Sequence, residues 1–355
     1  MAYEVFKKRD LLNIPNKRAA WSDRTAHLMA QMSKLAYCKF EMSGPLELDQ
    51  AQLNLVVKLL KSGTATTSTE LSPGPDGTPE GPTVPADAIA LSDELKKAGF
   101  VIVGLFNSGS KGTDTQAFLT QSAGPNGVAP FHGESVVILS FRGTETIKDW
   151  MTNVKLIQGQ VRGVNVHQGF QEAFESVESD ITIALDSLLP QGATLYLTGH
   201  SLGGALALIA TREIAPESHG ACYSFGAPRV ARFGFARKIK TPIYRVVNRN
   251  DLVPRVPPAY IQTVIRFGLS LLNIPWLKPL DFLIKKLEKY VHHGDLRFIR
   301  KSGPEVMLLS NPSVIYRFFW YWPALIKNWR SPSGDHSIDV YCQKLEDWAT
   351  KRLSP

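Results

Sequence analysis

Apolar residues recur along this chain at two spacings. Leu28, Met29, Met32, Leu35 and Ala36 fall on one helical face, and Ser22-Asp23 just before them can cap a helix whose stripe packs into a core. The same spacing predicts helices over Ala51–Leu60, Ile89–Ala98, Gln171–Leu189, 202–215 and 338–350, with Gly99 as a left-handed stop directly after Ala98. Strand-like runs lie at Phe100–Phe106, Thr115–Thr120, Ser135–Phe141, Ala221–Phe225, Ile243–Val247 and Leu296–Arg300. Strands alternating with helices predict an α/β architecture whose sheet is largely parallel through its middle. In such a sheet functional residues gather at the carboxyl ends of strands.

Three stretches break the rhythm. Ser62–Pro85 holds five prolines and four glycines and reads as an exposed loop. Residues 260–290 are apolar with basic residues interspersed, and 312–330 carry Tyr316, Phe318, Phe319, Trp320, Tyr321, Trp322 and Trp329 near Arg317, Lys327 and Arg330. Such aromatics pack as core, line an acyl pocket or dock at a lipid boundary. The expected organisation is a basic leader over 1–21 and a single domain over 22–355, with insertions at 62–85, 260–290 and 312–330. A length of 355 residues suits one decorated domain.

Composition narrows the class. Cys38, Cys222 and Cys342 are odd in number and widely spaced, which excludes a disulfide framework or a metal pattern and predicts buried free thiols. Met1–Pro15 has no apolar signal core, and Phe267–Leu277 is short and contains Pro275, so neither secretion by a signal peptide nor a membrane span is expected. That leaves a cytoplasmic chain, or one exported without a signal, with membrane association open. The net charge of +8 suits an anionic surface; no nucleic-acid motif accompanies it, which leaves anionic lipid or plain solubility.

The chemistry centres on Leu195–Ala207. A short apolar run ends in Gly199-His200-Ser201-Leu202-Gly203 and turns at once into an Ala/Leu-rich helix. This is a Gly-x-Ser-x-Gly elbow: glycines flank a strained serine where no β-carbon fits, and the helix start offers N–H groups for an oxyanion. A serine needs a base, and the base needs an acid to fix its tautomer, in the chain order Ser, acid, His. Asp251, at a strand end, is the leading acid, with a turn aspartate as its bland role. His336, in a late turn-rich loop, is the leading base; His292 and His293 compete but run straight into a strand. Ile147, Trp150, Met151 and Val154 form an apolar stripe after a strand end, which suits a lid and a packed surface helix equally.

In chain order, Phe141-Arg142-Gly143-Thr144, His167-x-Gly169-Phe170, Gly199-His200-Ser201-Leu202-Gly203-Gly204, Asn250-Asp251-x-Val253-Pro254 and Asp335-His336 together resemble the fungal-type class 3 triacylglycerol lipase family. The resemblance covers roughly residues 22–350. It implies an α/β-hydrolase fold and a triad of Ser201, Asp251 and His336. The oxyanion hole falls at Thr144 and Leu202, the lid over 145–157, and His167 in a structural role. The implied activity is a serine carboxylester hydrolase acting on lipid esters at an interface, without metal or organic cofactor. Triacylglycerol is the first substrate. A phospholipase A1 is the alternative, favoured by the charge and the aromatic-basic segments. A lipase-like binding protein without turnover is a third class, and the complete set of triad residues argues against it. Oligomeric state is not legible. Members of the family are commonly secreted and shorter, so the extra segments leave substrate preference and export open.

Overall fold

In the computed structural model the described residues are 5–14, 19–38, 50–62, 84–108, 114–122, 135–143, 158–161, 164–188, 194–255, 290–313, 316–317 and 334–353. The first of these corrects the expectation of a leader. Val5, Phe6, Leu11 and Ile14 are buried, and a 3-10 turn spans Arg9–Leu12. Val5, Phe6 and Ile14 join the same core cluster as Leu28 and Met32. The adjacent Lys7, Lys8 and Arg9 dominate the composition there, but burial is decided by the apolar side chains around them.

Helix α1 (Asp23–Leu35) starts where its cap predicts: Ser22 Oγ accepts the Thr25 N–H at 3.3 Å. Asp23 in its first turn and Lys34 in its last complement the helix dipole. Leu28, Met29, Met32 and Leu35 are wholly buried, as the stripe requires. Helices α2 (Gln50–Ser62) and α3 (Ala86–Lys97) pack on strand β1 (Phe100–Asn107). Strand β2 (Gln116–Ser122) pairs antiparallel with β1, and β3 (Val136–Phe141) pairs antiparallel with β2.

A hairpin of β4 (Gln158–Val161) and β5 (Val164–His167) follows, which the sequence does not announce because its first strand is mostly polar. His167 ends β5 and stands before α4 (Gln168–Asp186), which begins three residues ahead of its expected start at Gln171. The elbow strand β6 (Thr194–His200) is buried throughout and leads into α5 (Leu202–Glu213). Then come β7 (Cys222–Phe225), β8 (Ala231–Arg232), β9 (Ile243–Asn248), β10 (Tyr290–Val291), β11 (Asp295–Arg300), β12 (Met307–Ser310) and the terminal helix α6 (Ile338–Leu353).

The eight-stranded sheet has the order β1-β2-β3-β6-β7-β9-β11-β12. It is parallel from β3 to β11 and antiparallel at both flanks. A smaller sheet, β10-β8-β5-β4, lies apart from it. The period of two sorts the strands' side chains to two cores. Val136, Ile138 and Tyr196 join α1, α2, α3 and α6, whereas Val137, Leu139, Leu195 and Leu197 join α4 and α5. Each such buried aliphatic contributes roughly 1.5–3 kcal/mol. The three cysteines are free thiols, with Cys38 and Cys222 buried. Among the described residues no helix is long and apolar enough to cross a membrane. The expected lid stripe and most of the three irregular stretches fall outside the described residues.

Burial between α1 and α6 pushes His27 down from 6.5 to about 4. The unfolded chain therefore takes up a proton below 6.5 that the folded chain refuses until about 4. This share of stability is complete above pH 6.5 and is lost as pH falls, amounting to about 2 kcal/mol by pH 5. Melting temperatures compared between neutral pH and about pH 5 should show a drop that shrinks in His27→Leu. Equal drops in both proteins would contradict it.

Candidate active site

The carboxyl ends of β6, β7 and β9 are neighbours, and the chain is pinned there. Ser201 N–H donates to Phe225 O at 2.9 Å, and Gly226 N–H donates to Val246 O at 3.0 Å. Ser201 itself sits at φ 57° and ψ −125°, a conformation that non-glycine residues rarely adopt. The elbow is tight enough to exclude side chains on either side of it. A β-carbon on Gly199 would lie 2.3 Å from Gly203, and one on Gly203 would lie 2.3 Å from Phe141 O. The end of β3 thus presses on the first turn of α5, where Leu202 opens the helix with an N–H that has no intrahelical acceptor. Thr144, one residue beyond Gly143, and the stripe Ile147, Trp150, Met151 and Val154 lie outside the described residues.

Asp251 and His336, 85 residues apart, meet in a site where both are fully buried. His336 Nδ1 lies 2.8 Å from each carboxylate oxygen. A carboxylate only accepts, so Nδ1 carries a proton, and in the neutral ring the lone pair is then on Nε2. Nε2 has no hydrogen-bond partner among the described residues. Two further donors hold the carboxylate: Val253 N–H reaches Oδ1 at 2.9 Å, and the Tyr341 hydroxyl reaches Oδ2 at 2.6 Å. Burial and the neighbouring Asp251 charge hold the Tyr341 phenol well above its usual pKa of 10.0, so it stays a donor.

The competing histidines go elsewhere. His292 Nε2 donates to Pro254 O at 2.6 Å. Burial, with Arg245 and Arg229 beside it, pushes His292 well below its usual range. His293 packs on Phe235 with ring centroids 5.2 Å apart. His167 stacks on Phe170 at 4.4 Å, far along the chain from the elbow and on the smaller sheet. Arg142 is a tether: its Nη1 donates to Gln116 Oε1 at 2.7 Å, tying the end of β3 to β2.

Sequence reasoning missed three supports. Tyr341 is one. Asn248 is another, since its Nδ2 donates to Asp335 O at 2.8 Å and its Oδ1 accepts from Lys344 Nζ at 2.7 Å, which fixes the loop before His336. His200 is the third, read only as an elbow residue. The helical spacing of Tyr341 and Lys344 on one face of α6 was the available signal, but spacing cannot say what that face meets.

The family described as lipase (class 3) matches residues 138–261. The chain is 34% identical over 140 residues to secreted mono- and diacylglycerol lipase 1 of Fusarium solani, covering 37% of this chain and 42% of that protein. It is 32% identical over 146 residues to a lipase of Rhizomucor miehei, covering 37% and 40%. The chain thus spans about two fifths of the length of these curated relatives. The crystal structure of a mono- and diacylglycerol lipase from Aspergillus oryzae aligns with a TM-score of 0.52 at 18% identity, over 92% of this chain and 96% of that one. That likeness is one of fold, and with the sheet order it is the α/β-hydrolase fold.

Proposed function

We propose that the chain, whose residues 138–261 match the class 3 lipase family, is a serine carboxylester hydrolase acting on lipid esters, with triacylglycerol as first substrate. One observation carries the reading: a serine at φ 57° on a strand-to-helix elbow, and a buried His336 held by Asp251 whose Nε2 has no hydrogen-bond partner among the described residues. Ser201 Oγ attacks the acyl carbonyl carbon while His336 Nε2 takes its proton. The oxyanion accepts the N–H groups of Leu202 and Thr144. His336 then returns the proton to the leaving alcohol oxygen, and water releases the fatty acid by the same steps in reverse. Asp251 fixes the tautomer and stabilises the imidazolium.

In this reading residues 145–157 form the lid, with Ile147, Trp150, Met151 and Val154 as its apolar face. Residues 62–85, 260–290 and 312–330 are insertions into one domain. The +8 charge supports peripheral contact with an anionic surface. Hydrolysis of emulsified triacylglycerol should exceed that of anionic phospholipid vesicles and rise sharply once substrate exceeds its solubility. Preference for the vesicles would make the protein a phospholipase. Failure of Ser201 to react with a fluorophosphonate would overturn the hydrolase reading in favour of a binding protein.

A further inference from the structure

Helix α1 and the turn that follows it touch the elbow strand at two levels. Ser33 Oγ and Thr198 Oγ1 are 2.8 Å apart, and the Tyr37 hydroxyl lies 2.7 Å from His200 Nδ1. His200 passes the contact on: its Nε2 lies 2.6 Å from the backbone carbonyl of His336. A carbonyl only accepts, so Nε2 carries the proton. Burial holds His200 well below its usual pKa, so the ring is neutral and Nδ1 accepts the Tyr37 O–H. The rings of His200 and His336 are 4.5 Å apart between centroids. The same hydroxyl fills the space over Gly143, where a β-carbon would lie 2.3 Å from it.

We infer that Tyr37 and His200 are positioning residues: the Tyr37 hydroxyl fixes the tautomer and orientation of His200, and His200 holds the main chain of His336 so that its imidazole sits at a fixed height over the elbow. The Asp251 contact orients the His336 ring about Nδ1, but it leaves the backbone that carries the ring to be anchored by something else. His200 is the residue next to Ser201, so its bond ties base and nucleophile into one rigid unit. Tyr37, through Gly143, brings the end of β3 into that unit. A shift of about 1 Å between such groups costs on the order of a hundredfold in rate. This rests on the reading of Ser201 as the nucleophile.

The test uses the full chain and a soluble short-chain ester, with kcat expressed per serine titrated by a fluorophosphonate. Tyr37→Phe should lower kcat about tenfold and His200→Phe about a hundredfold, with KM within about twofold. The second-order rate of fluorophosphonate labelling should fall by the same factors. His200→Gln should recover most of the loss, because its amide N–H can reach the His336 carbonyl. A role in stability alone would lower the melting temperature and the titratable fraction while leaving kcat per serine intact. Parental kcat per serine and parental labelling rate in Tyr37→Phe and His200→Phe would overturn the inference. If His200→Phe does not fold, Tyr37→Phe decides, since it removes one oxygen and keeps the ring. An unmodified protein that does not label overturns the nucleophile reading itself, and this inference with it.

Discussion

Ser201→Ala should abolish ester hydrolysis, by on the order of a millionfold in kcat, and leave the fold as it is. The loss is that large because no other group can take the place of the oxygen that forms the acyl-enzyme bond. What remains is the background supplied by binding and the oxyanion donors. The fold should be indifferent for a structural reason. The strain at φ 57° is held by the backbone bond to Phe225 O and the packing of Gly199 on Gly203, neither of which uses the hydroxyl. Alanine has the same β-carbon at the same φ, so the melting temperature should stay within a few degrees. Activity toward a soluble ester and thermal unfolding, measured on one preparation, check both halves. Retained turnover in pure protein would remove Ser201 from the mechanism, and a large loss of stability would show that the hydroxyl supports the elbow.

Asp251→Asn should lower kcat by roughly ten-thousandfold with KM little changed. The carboxylate now accepts His336 Nδ1–H, Val253 N–H and the Tyr341 hydroxyl. An amide offers one oxygen where these three donors converge, and its NH2 must face one of them. If it faces His336, the imidazole is driven to the other tautomer, with the proton on Nε2, and the base is lost. If it faces Tyr341 or Val253, a buried donor is left unpaired at about 1–3 kcal/mol, and the imidazolium still has no negative charge beside it. Both arrangements cost rate, and only the second should cost much stability. A melting temperature close to the parent's with the rate collapsed would favour the first. A rate within tenfold of the parent's would mean that Asp251 does not orient the base.

The two effects sit at different depths in the sequence. The elbow is a local object: Gly199, Ser201 and Gly203 lie within five residues, and their steric demands follow from one turn between a strand and a helix. It could be read without knowing what lies around it. The same is true of the Ser22 cap, the Gly99 stop at φ 77° and the period-two strands that divide Val136 and Ile138 from Val137 and Leu139. Where local rules were read too simply, packing overrode them. Val5, Phe6, Leu11 and Ile14 fold onto the core although Lys7, Lys8 and Arg9 make the segment look like a solvated leader.

What the linear sequence by itself determined was the alternation of strands and helices, the elbow, and a short list of acids and bases in the right chain order. Backbone sterics and hydrophobic periodicity act over a few residues and leave a visible pattern. Which histidine faces Asp251 was decided only by tertiary structure, because residues 251 and 336 come together through the order in which the parallel strands pair and the path by which α6 returns across them. His292 has the same chemistry and a comparable place in the chain, yet its ring is turned to Pro254. The contacts of Tyr341 with Asp251 and of Tyr37 with His200 are of this second kind, spanning 90 and 163 residues. Hydrogen bonds over such separations leave no periodicity in the chain. They exist because burial at the sheet's carboxyl edge makes an unpaired hydroxyl costly, and each of these two finds an acceptor there.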